Sequence, residues 1–229
     1  MPGKMVQYRA NGGSAEGYLA TPEGGRGPGV IVIQEWWGLV PHITDVCDRF
    51  AAAGFVALAP DLYHGQTTTE PDEAGKLMMA LNLDQAATDM GGAVDHLLAL
   101  DSVTSTGVGV VGFCMGGALA LLLAVERPEQ VVACAPFYGT IPFVESSVDW
   151  SKLQAPVRGH FASEDGFFTA DKVRALEAEL KGLGKDVELV IHRGTDHAFF
   201  NDTRPEVYDA EHSAEAWDAT ISFFRETVA

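Results

Sequence analysis

Between Val108 and Val125 the chain changes character twice within a few residues. Val108 to Phe113 is apolar throughout, the pattern of a strand buried on both faces of a sheet. Ala118 to Val125 is equally apolar and reads as a buried helix. Only Cys114, Met115, Gly116 and Gly117 separate them, so a buried strand must turn sharply into a buried helix. The segment from Gly112 to Gly116 matches G-x-S-x-G with cysteine in the serine position, where small flanking residues let a strained turn hold a nucleophile at the helix start.

The rest of the chain supplies the layers that such a corner requires. Short runs rich in β-branched residues recur at Tyr18 to Ala20, Val30 to Ile33, Phe55 to Leu58, Val131 to Ala135, Val157 to Phe161 and Val187 to Ile191, with helical stretches between them. This alternation predicts an α/β fold, a mostly parallel twisted sheet of about seven or eight strands with helices on both faces. A single domain over residues 1–229 is expected at this length. Ala214, Trp217, Ile221, Phe224 and Val228 recur at helical spacing and predict a final helix packed on the sheet. Leu77 to Leu100 also reads as helix, with a break expected at Gly91 and Gly92. Gly65 to Gly75 is the loosest stretch, a lid or a surface loop.

Composition removes several classes of function. The formal charge of −17 opposes nucleic acid, which needs clustered Lys and Arg. No run reaches the roughly 18 apolar residues of a membrane span, and the first residues lack the apolar core of a secretion signal, so a cytoplasmic protein with no membrane partner is expected. Cys47, Cys114 and Cys134 are odd in number and widely spaced, which suggests neither a disulfide framework nor a zinc knuckle. The His and Asp residues show no metal-ligand spacing. No cofactor or metal is expected.

Cys114 is therefore read for its chemistry. A helix N-terminus favours thiolate and oxyanion alike through its free N–H groups and partial positive charge. Gly107, Gly109 and Gly112 also satisfy G-x-G-x-x-G, but they fall within the strand and not in the turn after it, which rejects a dinucleotide site. A thiol at ordinary pKa needs an imidazole to activate it and to protonate the leaving alkoxide. His197 stands farthest beyond its strand on a polar turn, whereas His160 inside a strand and His192 at a strand end read as structural. Asp165 is the natural acid, on the loop after Val157 to Phe161, with Glu164 and Asp196 as rivals. The backbone N–H groups of Trp36, in the loop after Val30 to Ile33, and of Met115 are placed to receive an oxyanion.

These residues together resemble the dienelactone hydrolase (carboxymethylenebutenolidase) family of the α/β-hydrolase superfamily, from about Val30 to Phe224. The resemblance rests on Gln34-Glu35 before aromatics and glycine, Pro60-Asp61-Leu62-Tyr63, Gly112 to Gly117, Glu164-Asp165 and Asp196-His197-Ala198-Phe199. It implies the triad Cys114, Asp165 and His197, and a role for Glu35 as hydrogen-bond acceptor and later base for the resting thiol. It also implies substrate contacts from Trp37, Tyr138 and Phe199. Pro71 and Asn201 stand where the family carries two arginines that clamp a substrate carboxylate, and Arg204 is the cation that could reach the pocket by another route.

The expected activity is hydrolysis of lactones or small esters through a cysteine acyl-enzyme, with a small molecule as the only required partner, in a monomer or small homo-oligomer. An acyltransferase or thioesterase would use the same triad. A non-catalytic binding protein would keep the fold without turnover.

Overall fold

The computed structural model describes residues 2–10, 13–140 and 148–228. Its centre is an eight-stranded sheet: β1 (Lys4–Ala10), β2 (Gly13–Ala20), β3 (Gly27–Ile33), β4 (Val56–Pro60), β5 (Val103–Phe113), β6 (Val131–Phe137), β7 (Val157–Ala162) and β8 (Val187–His192). The spatial order is β1-β2-β4-β3-β5-β6-β7-β8. β1 pairs antiparallel with β2 and β2 with β4, and every later neighbour is parallel. The mostly parallel α/β class is as the alternation predicts.

Helices α1 (Pro41–Ala52), α2 (Pro71–Ala80), α3 (Leu83–Leu98), α4 (Met115–Glu126), α5 (Ala170–Gly182) and α6 (Ala210–Thr227) follow the strands. α3, α4 and α5 close one apolar layer, in which Leu97, Leu119 and Leu180 meet Ile31, Val110 and Leu189. α1 and α6 close the other, where Phe50 and Phe224 meet Val30 and Val111. The central strands are buried on both faces, which is why they read as continuous apolar runs. No helix among the described residues is long and apolar enough to cross a membrane.

Four local expectations need correction. β1 was not expected, because a strand with one solvent face carries polar residues at alternate positions and no apolar run. The helix expected over 77–100 is two helices, divided at Leu81-Asn82, where the Asn82 side chain accepts from Gln85 N–H at 3.0 Å. Gly91 and Gly92 lie inside α3 and do not break it. A Cβ on Gly92 would meet the Arg9 carbonyl oxygen at 2.5 Å, so this glycine is what lets α3 settle on β1. The loose stretch from Gly65 becomes helical at Pro71, which stands in the first turn of α2. The stripe on α6 is rotated slightly from the expected one, because Ser213, Ala216 and Thr220 are buried and Ala214 is exposed.

Candidate active site

The site forms at the carboxyl ends of the parallel strands, where loops after β3, β5, β7 and β8 converge. β5 ends at Phe113 and α4 begins at Met115, leaving Cys114 alone at the corner with φ of 55° and ψ of −120°. That conformation costs a non-glycine residue on the order of 1–3 kcal/mol and is held by its surroundings. The turn closes only because its neighbours lack side chains. A Cβ on Gly112 would lie 1.9 Å from the Gly116 oxygen, and one on Gly116 would lie 2.4 Å from the Ile33 oxygen. The second contact also fixes where the loop after β3 runs, directly against the start of α4.

Trp36 and Met115 both line the cavity beside Cys114. Among the described residues, neither Trp36 N–H nor Met115 N–H donates to a carbonyl or to a side chain. Met115 is the first residue of α4, where the partial positive charge of a helix N-terminus is centred.

The loops after β7 and β8 bring the other two residues. Asp165 is buried, and its Oδ2 lies 2.7 Å from Nδ1 of His197. Its Oδ1 accepts from the N–H groups of Phe167 at 2.7 Å and Phe168 at 2.9 Å. Burial alone would push the Asp165 carboxyl upward, but the His197 hydrogen bond and charge and those two N–H donors outweigh it and hold it below its ordinary value. Burial opposes charge on His197 as well. Hydrogen bonds and charge from Asp165 and Cys114 prevail there, raising the imidazole to about 10. The rival acids stand elsewhere, since Glu164 is exposed and accepts from Ser163 Oγ, and exposed Asp196 accepts the backbone N–H of His197. His160 and His192 pair through their rings at 3.1 Å away from the site, and burial lowers both.

Glu35 is also buried, only 1% exposed, yet it lines the same cavity as Cys114 and His197. One carboxylate oxygen accepts from Tyr138 Oη at 3.2 Å and the other from Asn201 Nδ2 at 2.9 Å. Each oxygen of the carboxylate is thus held by one protein donor. Asn201, which stands where the family has a clamp arginine, grips the glutamate instead of facing substrate. Tyr138 and Phe199 are fully buried and absent from the lining among the described residues, so neither presents the substrate surface expected of it. Tyr138 supports Glu35, and Phe199 packs between Tyr138 and His192 at ring distances of 5.7 and 5.0 Å.

The cavity holds about 380 Å³, an ordinary size for a small-molecule site. Trp36 and Trp37, packed edge to face, both line the cavity. Sequence reading missed Phe167, Phe168 and Met78, which form most of the remaining wall. The aromatic pair that follows Asp165-Gly166 was the available signal for the first two. Pro71 lines the cavity as an apolar surface, and Arg204 is the one lysine or arginine among the described lining residues. Its Nε donates to Glu206 at 2.9 Å.

The fold and sequence recur in known proteins. The dienelactone hydrolase family matches residues 15–228. Protein usf of Aquifex pyrophilus is 40% identical over 230 residues, 98% of each chain. A protein of Aquifex aeolicus provisionally named carboxymethylenebutenolidase is 36% identical over 97% of this chain and 98% of its own. Among solved structures, the dienelactone hydrolase-like promiscuous phosphotriesterase P91 from metagenomic libraries superposes with a TM-score of 0.87 at 26% identity, covering 99% of this chain and 98% of that one. An α/β-hydrolase sheet with a match over almost its whole length places the chain in the dienelactone hydrolase family, as a hydrolase of carboxylic esters or lactones.

Proposed function

We propose that Cys114 attacks the carbonyl of a small neutral ester or lactone and forms an acyl-enzyme that water then hydrolyses. The observation that carries this reading is the 2.7 Å contact of Asp165 with His197, in a cavity whose floor is a cysteine on a strained helix-start corner. His197 holds the proton of the thiol as an imidazolium beside the Cys114 sulfur and delivers it to the leaving alkoxide, while Asp165 keeps the ring in one orientation. Trp36 and Met115 N–H groups receive the negative charge that develops on the carbonyl oxygen. In the second half-reaction His197 removes a proton from water, which attacks the thioester and frees Cys114. Electrospray mass spectrometry of the enzyme quenched during turnover of an aryl acetate should show one acetyl group per chain, on the peptide containing Cys114. A label on any other residue, or none at saturating substrate, would overturn this route.

The choice of a neutral substrate follows from the walls. A planar guanidinium fork grips a carboxylate with two hydrogen bonds, and neither proline nor a committed asparagine replaces it. The single cation Arg204 is already engaged by Glu206, and a surface of charge −17 repels anions on approach. Short-chain aryl esters and neutral lactones should therefore exceed a carboxylate-bearing dienelactone in kcat/KM by about tenfold or more. Equal or better turnover of the anion would refute this specificity without touching the cysteine mechanism.

Glu35 serves as a buried negative charge near the thiol, its orientation set by Tyr138 and Asn201. Glu35→Gln removes the charge and the proton acceptor at nearly constant volume. It should lower the rate by about 100-fold, the scale of one lost general base, and shift the acid limb of the pH–rate profile. An unchanged profile would leave Glu35 as a packing residue.

A further inference from the structure

Remote from the cavity, β8 and α6 bring together three side chains of metal-binding type. The ligand atoms of His192, His212 and Glu215 all lie within 4.8 Å of one another, and Nδ1 of His192 is 3.9 Å from Oε2 of Glu215. His212 and Glu215 are three residues apart in α6 and share a face, while His192 ends the neighbouring edge strand β8. We propose that these residues form a structural site for a divalent first-row transition cation such as Zn²⁺, clasping α6 to the sheet edge.

The surroundings favour a ligand set over a chance cluster. Nε2 of His192 is engaged by Nδ1 of His160 at 3.1 Å. When Nε2 carries the shared proton, the tautomer leaves a free lone pair on Nδ1, pointing toward α6. Metal-binding histidines are ordinarily oriented by such a partner on the other ring nitrogen. His212 has an acidic neighbour as well, since its Nδ1 lies 3.0 Å from Oδ1 of Asp209 without hydrogen-bond geometry. Two imidazoles and one carboxylate suit Zn²⁺, Co²⁺, Ni²⁺ or Cu²⁺ and disfavour Mg²⁺ and Ca²⁺, which prefer oxygen.

The distances are within reach of closure. Metal–ligand bonds of about 2.0–2.2 Å place tetrahedral ligand atoms roughly 3.4 Å apart, so the 3.9 Å pair of His192 and Glu215 needs approach by about half an ångström and the widest pair, within 4.8 Å, by at most about 1.4 Å. Glu215 can supply that movement, because its side chain is 61% exposed. His192 and His212 are held by packing, their rings 5.4 Å apart and edge to face. Three protein ligands leave one position for water. The buried Phe199 ring stands between His192 and the buried Tyr138, so the cation would not meet substrate.

The test uses full-length protein freed of metal with chelator, in a Cys114→Ala background so that the active-site thiol offers no competing ligand. Titration with Zn²⁺ should show one equivalent bound, with a dissociation constant on the order of micromolar, and saturating Zn²⁺ should raise the melting midpoint by roughly 5 °C or more. Glu215→Gln alters an exposed position and should melt near the parent in chelator, His212→Ala alters a partly covered one and should melt only slightly lower, and each should weaken Zn²⁺ binding at least tenfold. Co²⁺ loaded into the parent should give visible bands of nitrogen and oxygen coordination that both variants lose. Absence of saturable binding in the parent, or binding and Co²⁺ bands undiminished in His212→Ala, would overturn the proposal.

Discussion

Cys114→Ala should reduce ester turnover by about 10⁵-fold or more, to a residual rate owed to binding and the oxyanion donors alone. The size follows from the proposed mechanism, in which the sulfur forms the bond to substrate in one half-reaction and breaks it in the other. Replacing the thiol with a methyl group removes the nucleophile while keeping the corner, because alanine is smaller and can adopt the strained φ that the fold imposes. Cys47 and Cys134 provide the internal control. Both are fully buried, and burial raises each thiol above its ordinary value, so they offer no thiolate at neutral pH. Changing both to alanine should leave kcat within about twofold, with any loss confined to stability through small cavities. Iodoacetamide should label Cys114 and block turnover in the wild-type chain. Survival of more than a few per cent of activity in Cys114→Ala would move the chemistry to another residue.

The second large effect is expected from Asp165→Asn, which should lower kcat by about 10³–10⁴-fold with little change in KM. The amide keeps the shape but presents neither the charge nor a reliable acceptor to Nδ1 of His197. The pH dependence separates this loss from simple unfolding. His197 is raised to about 10 in the wild-type site, so the imidazolium able to protonate the leaving alkoxide persists through neutral pH and is lost only as pH rises through about 10. Without the carboxylate, the hydrogen bond and charge of Asp165 are lost while those of Cys114 stay, so its proton affinity falls. The alkaline limb of kcat/KM should therefore move toward acid in the variant. An alkaline limb unmoved by the substitution would show that Asp165 does not control the imidazole.

Of the two residues, Cys114 is the one that sequence pattern alone picks out, and the reason is local. The corner at Cys114 is written in adjacent positions, because the strand, the turn and the helix that create it are contiguous and the glycines it needs cannot be disguised. Fully buried strands announce themselves as apolar runs for the same reason. β1 did not, since one of its faces meets solvent and its pattern is diluted. Asp165 was separable from Glu164 and Asp196 only by folding, which buries one carboxylate against an imidazole from another loop and leaves the other two exposed.

Side chains that meet across the fold were beyond the reach of pattern. Tyr138 and Asn201 both bind Glu35 from separate strands and loops, so a residue expected to touch substrate and one expected to mark a lost clamp together hold a carboxylate. His192, His212 and Glu215 show no metal spacing along the chain because one ligand comes from a strand and two from a helix packed beside it. The sequence by itself determined most of the sheet, the strand–turn–helix corner at Cys114 and the order of the loops that converge on it, since each depends on neighbours within a few residues. Only the tertiary structure decided which carboxylate faces His197, what holds Glu35 and what lines the cavity, because those contacts join residues 32 to 166 positions apart and are set by packing between layers.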